Sequence, residues 1–147
     1  MYSEKLNEEP VCYQATGDNP GSFILKRNAS INSIKLEHVS GWVTCRLPYE
    51  SYWGCPYYGN ERILTIITDN KSKPQFPYKI ADANNLHFTL PGVNHESKEI
   101  VLPAPDRVPY NGHAGEIMNI WYSEDIRDIY DGNNAGTHCV NVYATYN

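Results

Sequence analysis

Four cysteines without a Cys-x-x-Cys pair among them constrain this chain more than any other feature. Cys45 and Cys55 lie ten residues apart, in Trp42-Val43-Thr44-Cys45 and Tyr52-Trp53-Gly54-Cys55, while Cys12 and Cys139 stand near the two ends. An even number that lacks zinc-type spacing reads as two disulfides made in an oxidising compartment. The competing account is a cytosolic protein with four free thiols. Of the three connectivities that four cysteines allow, Cys45–Cys55 nested inside Cys12–Cys139 is expected. The first makes a tight local clamp, and the second fastens the terminal strands together.

At 147 residues the chain is expected to form a single domain with a core of its own, so the disulfides add durability rather than replace a core. Residues 1–10 are polar and read as a flexible N-terminal segment, with the domain spanning 11–147. They carry no signal-peptide apolar run, so a secreted protein is expected here in mature form with its signal removed and a start Met added. The formal charge of −5, with no run of Lys or Arg, argues against nucleic acid as a partner. No apolar stretch approaches the roughly 20 residues that span a bilayer. Two sequons, Asn28-Ala29-Ser30 and Asn70-Lys71-Ser72, fall at expected turns and make Asn28 and Asn70 candidate glycosylation sites.

The chain runs in short β-like stretches separated by Gly, Pro, Asn and Asp. Candidate strands cover 11–16, 22–26, 32–38, 41–46, 62–68, 75–80, 86–90, 98–102, 116–122 and 138–146. In the last of these Val140, Val142 and Ala144 alternate with Asn141, Tyr143 and Thr145, which puts one face on a core. The stretch Arg62-Ile63-Leu64-Thr65-Ile66-Ile67-Thr68 is apolar on both faces and is expected to be covered on each side. Ser123 is placed to cap a short helix over 124–130, whose acids fall in the favoured first turn. The expected fold class is all-β, an antiparallel sandwich or jelly roll in one domain with two disulfides.

Two stretches carry candidate chemistry. The first is aromatic. Tyr49, Tyr52, Tyr57 and Tyr58 cluster around the expected clamp with Asn60, and form a candidate ligand-binding set in which rings stack on the apolar C–H faces of sugars. Arg46, Glu50 and Glu61 are near enough in sequence to bond hydroxyls. Trp42 and Trp53 are expected to pack on the disulfide instead. The second stretch is acidic: Glu124, Asp125, Asp128, Asp131, Asn133 and Asn134 supply hard oxygens of the kind Ca²⁺ takes. They lack EF-hand spacing, and the alternative is a solvated acidic helix with an Asx-rich turn. The five histidines are scattered, without a paired-His or HExxH spacing. With no nucleophile elbow or phosphate-cradling loop either, no enzyme is expected.

Ser40-Gly41-Trp42-Val43-Thr44-Cys45, Tyr52-Trp53-Gly54-Cys55, Ile120-Trp121-Tyr122-Ser123-Glu124-Asp125-Ile126 and Asn133-Asn134-Ala135-Gly136-Thr137-His138-Cys139-Val140-Asn141-Val142-Tyr143-Ala144 resemble motifs in a group of small secreted domains of aquatic animals, cnidarians among them. The similarity spans about 31–146. It implies an extracellular disulfide-bonded domain and no reaction. An acidic residue often stands in that pattern where this chain has Asn133, which removes one charge from the candidate Ca²⁺ site.

The function expected from these features is a secreted, non-catalytic binding module of lectin type, with glycans or glycoproteins as partners. Ca²⁺ is its candidate cofactor and homo-oligomerisation a means of multiplying weak single sites. The alternative is an extracellular structural or storage protein carrying an apolar ligand or pigment. A toxin or defence protein acting on a membrane protein is a third reading, which an exposed aromatic patch would serve.

Overall fold

The computed structural model describes residues 2–77, 87–104, 108–126 and 131–147, except for the side chain of Asp131. Among the described residues ten strands form two antiparallel sheets: β1 (Tyr2–Lys5), β2 (Val11–Gln14), β3 (Gly21–Ile24), β4 (Ala29–Gly41), β5 (Thr65–Asp69), β6 (Pro74–Phe76), β7 (Glu99–Pro103), β8 (Tyr110–Gly112), β9 (Ile117–Tyr122) and β10 (Thr137–Tyr146). The larger sheet runs β1-β10-β4-β7, with β2 also pairing β10 and β8 also pairing β4; the smaller runs β3-β9-β5-β6. A one-turn helix, α1 (Ser123–Ile126), and a 3-10 turn at Asp131–Asn133 precede β10.

The all-β fold and both expected disulfides are present, Cys12–Cys139 and Cys45–Cys55. Cys12 and Cys139 face each other directly in the β2/β10 register. β10 alternates as read from the sequence: His138, Val140, Val142, Ala144 and Tyr146 are buried, and the residues between them are not. These side chains meet Ile34 and Leu36 of β4, and Met118, Ile120 and Tyr122 of β9, in one core between the sheets. β5 is covered on both faces, as expected. Ile67 joins the main core, while Ile66 packs with Trp121 on the other side.

The structure differs from the sequence reading in several places. Residues 2–5 belong to β1, paired in register with β10 from Tyr2↔Tyr146 to Lys5↔Tyr143, rather than to a flexible tail. A four-residue strand with charged Glu4 and Lys5 at its end carries too little alternation to be read. Residues 32–38 and 41–46 are not two strands. β4 continues to Gly41, and beyond it only single bridges form, Val43↔Ser51 and Thr44↔Ala135. Of the strand expected over 86–90, the described residues 87–90 contribute one bridge, Ile63↔Phe88. β8 arises where a turn was expected at Asn111-Gly112. Half of the strand expected over 75–80 and most of the helix expected over 124–130 lie outside the described residues. Asn28 and Asn70 are both exposed, one just before β4 and the other in the turn after β5.

Candidate functional site

The clamp stands on the end of β4. After Gly41 the chain forms a short loop, pinned by hydrogen bonds between Val43 and Ser51 in both directions, 2.8 and 2.9 Å. Ser51 Oγ then accepts from the backbone N–H groups of Trp53 (3.1 Å) and Gly54 (2.7 Å), which fixes the turn into Cys55. Gly54 is required here, because a Cβ would lie 1.9 Å from the Arg62 carbonyl oxygen. Tyr52 N–H donates to the His95 carbonyl (2.9 Å), and Trp53 Nε1–H donates to the Ser97 carbonyl (2.6 Å), so the turn before β7 is tied to the clamp. From the other sheet, Tyr122 donates its hydroxyl proton to the Gly54 carbonyl at 2.7 Å.

These ties leave a cleft of about 380 Å³ lined by His38, Gly41, Trp42, Glu50, Ser51, Tyr52 and Glu96. It offers two aromatic side chains, Trp42 and Tyr52, with two carboxylates and an imidazole around them. Such a mixture suits a ligand with apolar C–H faces and many hydroxyls. The Tyr52 ring lies on the His38 imidazole, with centroids 3.6 Å apart and planes at 10°.

Behind His38 a polar chain enters the core. His38 Nδ1 is 2.8 Å from His138 Nε2, and His138 Nδ1 is 2.9 Å from the Tyr13 hydroxyl. That hydroxyl donates to the Tyr52 carbonyl (3.0 Å) and also lies 2.8 Å from Thr65 Oγ1. Thr65 in turn donates to the Trp53 carbonyl at 3.0 Å. Burial, and then the neighbouring His38, pushes the His138 pKa down to about 3, so this imidazole is neutral throughout the physiological range. Burial lowers His38 as well and raises the Tyr13 hydroxyl.

The candidate ligand residues divide between two surfaces. Tyr52 is in the cleft. Tyr49, Tyr57 and Tyr58 form a ladder beside the clamp: Tyr49 meets Tyr57 edge to face at 5.7 Å, and Tyr57 meets Tyr58 at 5.6 Å. The ladder continues as Tyr58 stacks on His87 at 4.6 Å, and the Arg46 guanidinium lies 4.9 Å over the Tyr57 ring. Tyr49 and Tyr57 are 40% and 51% exposed, so both rings are open to a ligand. Asn60 is exposed, and its carbonyl accepts from His95 N–H at 2.8 Å. Trp53 is fully buried, as expected for a tryptophan packed at the disulfide, whereas Trp42 is half-buried and walls the cleft.

The acidic segment is more buried than its composition indicates. Glu124 and Asp125 have no exposed surface. Tyr58 donates its hydroxyl to Glu124 Oε2 at 2.6 Å. Asp125 accepts from the backbone N–H groups of Asp18 (3.1 Å) and Asn19 (3.3 Å), which caps the β2–β3 turn. Asn134 donates to the Ala15 carbonyl at 2.8 Å, while its Oδ1 is buried without a partner among the described residues. Asn133 is exposed, and Asp128 lies outside the described residues. An amide oxygen and carboxylates are donor types that Ca²⁺ takes. Among the described residues, no three His, Cys, Asp or Glu side chains gather closely enough to hold a metal without such help.

His38 and His138 were not singled out by the sequence reading. Position 138 shares its parity with Val140, Val142 and Ala144, the inward face of the clearest strand, and that was the available signal.

No family model and no curated protein matches this sequence. Among solved structures it is similar to AJLec from the sea anemone Anthopleura japonica, with a TM-score of 0.87 and 30% sequence identity, covering 99% of this chain and 98% of that one.

Proposed function

This chain belongs to the same family as the sea anemone protein AJLec, and from that premise we propose that it is an extracellular carbohydrate-binding module, a lectin like the one abbreviated in that name. The observation that carries the reading is the cleft at the clamp. Trp42 and Tyr52 offer ring faces for sugar C–H groups, and Glu50 and Glu96 offer acceptors for hydroxyls. The exposed rings of Tyr49 and Tyr57, with the Arg46 guanidinium over the second, provide a second shelf for the further units of a longer glycan. Ca²⁺ enters the proposal through the acidic residues that begin at Glu124, whose carboxylate the Tyr58 hydrogen bond ties to the clamp. An extracellular setting agrees with two intramolecular disulfides, and no helix among the described residues is long and apolar enough to cross a membrane.

The test is a glycan array probed with the folded, disulfide-intact protein, once with Ca²⁺ and once with a chelator. A defined set of bound glycans is expected. Glu50→Gln should weaken binding, and Tyr57→Ala should weaken it for the longer glycans. Both residues are exposed, so neither variant disturbs the core. Loss on chelation assigns a cation to the acidic segment, and a blank array from folded protein overturns the reading.

A further inference from the structure

Hydrogens can run through the two histidines in two directions, toward Tyr13 or away from it, and the acceptors beyond Tyr13 decide between them; a Tyr13 proton given to Thr65 Oγ1 instead of the Tyr52 carbonyl leaves that direction the same. A carbonyl only accepts, and the Tyr13 hydroxyl is the donor found for the Tyr52 carbonyl among the described residues. If Tyr13 gives its single proton there, it has none for His138. His138 must then carry its proton on Nδ1 and donate it to the Tyr13 oxygen. Its Nε2 becomes an acceptor, so His38 must carry its own proton on Nδ1. The reverse order, with Tyr13 donating to His138 and His138 to His38, leaves the Tyr52 carbonyl without a donor. It makes one hydrogen bond fewer, at a part-buried carbonyl.

The favoured order ends at a bare lone pair on His38 Nε2. That atom has no protein partner among the described residues, is not buried, and belongs to a ring that walls the cleft. The Tyr52 ring stacked on the imidazole holds its plane in place. Resting on the carbohydrate reading above, we propose that His38 is a specificity-determining residue of the cleft: its neutral Nε2 accepts a hydrogen bond from a ligand hydroxyl, which selects uncharged, hydroxyl-bearing sugars. A uronate or sialate carboxylate has no proton to give this nitrogen and would also meet Glu50 and Glu96 on the cleft wall.

The same arrangement makes recognition sensitive to acid. Protonation of His38 adds a hydrogen at Nε2 and turns the acceptor into a donor, while Nδ1 keeps its bond to His138. The ionisable groups facing this ring are His138 from β10, Tyr52 from the clamp, and Glu50 and Glu96 across the cleft. Burial holds His38 below the ordinary histidine range, so the acceptor state persists at neutral pH and is lost only on acidification.

Long-range 1H–15N NMR of the labelled protein at neutral pH reads the imidazole protons directly. His38 and His138 should both be protonated at Nδ1 with bare Nε2 atoms, and an Nε2-protonated His38 overturns the proposal. The same sample is then titrated with methyl glycosides of neutral hexoses and of glucuronic acid. A neutral glycoside should bind and shift the His38 Nε2 resonance, with the uronate weaker. Its apparent affinity should fall about tenfold per pH unit below the pKa of His38 read from the spectra. Binding that leaves His38 Nε2 unmoved, or equal binding of the uronate, overturns the proposal and spares the lectin reading. A blank glycan array alongside Nδ1-protonated imidazoles overturns the lectin reading and the ligand assigned here, while the proton order stands.

Discussion

The Tyr58 hydroxyl donates to Glu124 Oε2 at 2.6 Å, joining an aromatic rung beside the clamp to a fully buried carboxylate at the start of α1. A buried carboxylate deprived of one donor keeps its desolvation penalty. Tyr58→Phe should therefore lower the unfolding free energy by about 1–3 kcal/mol, seen as a lower urea midpoint with an unchanged slope. An unshifted midpoint would show that Glu124 does not depend on this bond.

The two disulfides should separate stability from binding. Cys12–Cys139 closes a separation of 127 residues and Cys45–Cys55 one of 10, which the chain-entropy model values at about 5 and about 3 kcal/mol respectively. Replacing Cys12 and Cys139 by Ala should cost more in thermal stability yet leave glycan binding near that of the parent at low temperature. Replacing Cys45 and Cys55 should cost less stability and abolish binding, because the clamp carries the cleft wall. Intact binding without the clamp disulfide would overturn the proposed sugar site at the clamp.

Stability should fall with acid earlier than carboxylate protonation requires. His138 has its pKa depressed from 6.5 to about 3 in the folded state, so between these values the unfolded chain binds a proton that the folded one does not. The contribution is fully present above 6.5 and is lost as pH falls toward about 3, with a slope of up to about 1.4 kcal/mol per pH unit. His38, His87 and His95 are lowered in the same sense by burial and steepen the trend. Denaturant titrations from pH 7 to 4 should show this slope, reduced by one proton in His138→Phe. An equal slope in that variant would contradict a neutral buried His138.

Gly136 should control the cleft from behind. Its φ is +102°, and a Cβ there would lie 2.3 Å from the Trp42 carbonyl oxygen and 2.6 Å from its ring. Gly92, at φ +75°, has open space around the same position and serves as the comparison. Gly92→Ala should cost about 1–2 kcal/mol from backbone conformation alone. Gly136→Ala should cost more, shift the Trp42 fluorescence and weaken glycan binding, since the ring is a cleft wall. Equal effects of the two variants would mean that Trp42 yields without consequence.

The parts of this fold that sequence revealed are those with a strong local signal. Val140, Val142 and Ala144 announce β10 by alternation, Ile66 and Ile67 announce a strand covered on both faces, and the cysteine positions announce a clamp and a terminal fastening. The cleft was harder to see because its walls come from 38–42, 50–52 and 96, which only the sheet register and the clamp turn bring together. His38 and His138 are separated by 100 residues. Their meeting depends on the β4/β10 pairing and on a bulge that jumps from Cys139↔Ser40 to Val140↔His38, leaving Val39 unmatched. A bulge of one residue leaves no mark in composition or spacing. The acidic segment misled in the opposite direction: Glu124 and Asp125 look like a solvated helix face, yet both are buried and serve as acceptors for a tyrosine and a turn.

β10 pairs with β1, β2 and β4, so the strand made last is the one that the earliest strands require as their partner. As this domain emerges from a ribosome, β1 and β2 have no edge to join and Cys12 has no nearby partner until Cys139 appears. The larger sheet therefore closes in a single late event that brings distant parts of the chain together, after the whole domain has been synthesised. Until then the early segments need shelter from premature pairing, with other chains or with the wrong cysteine.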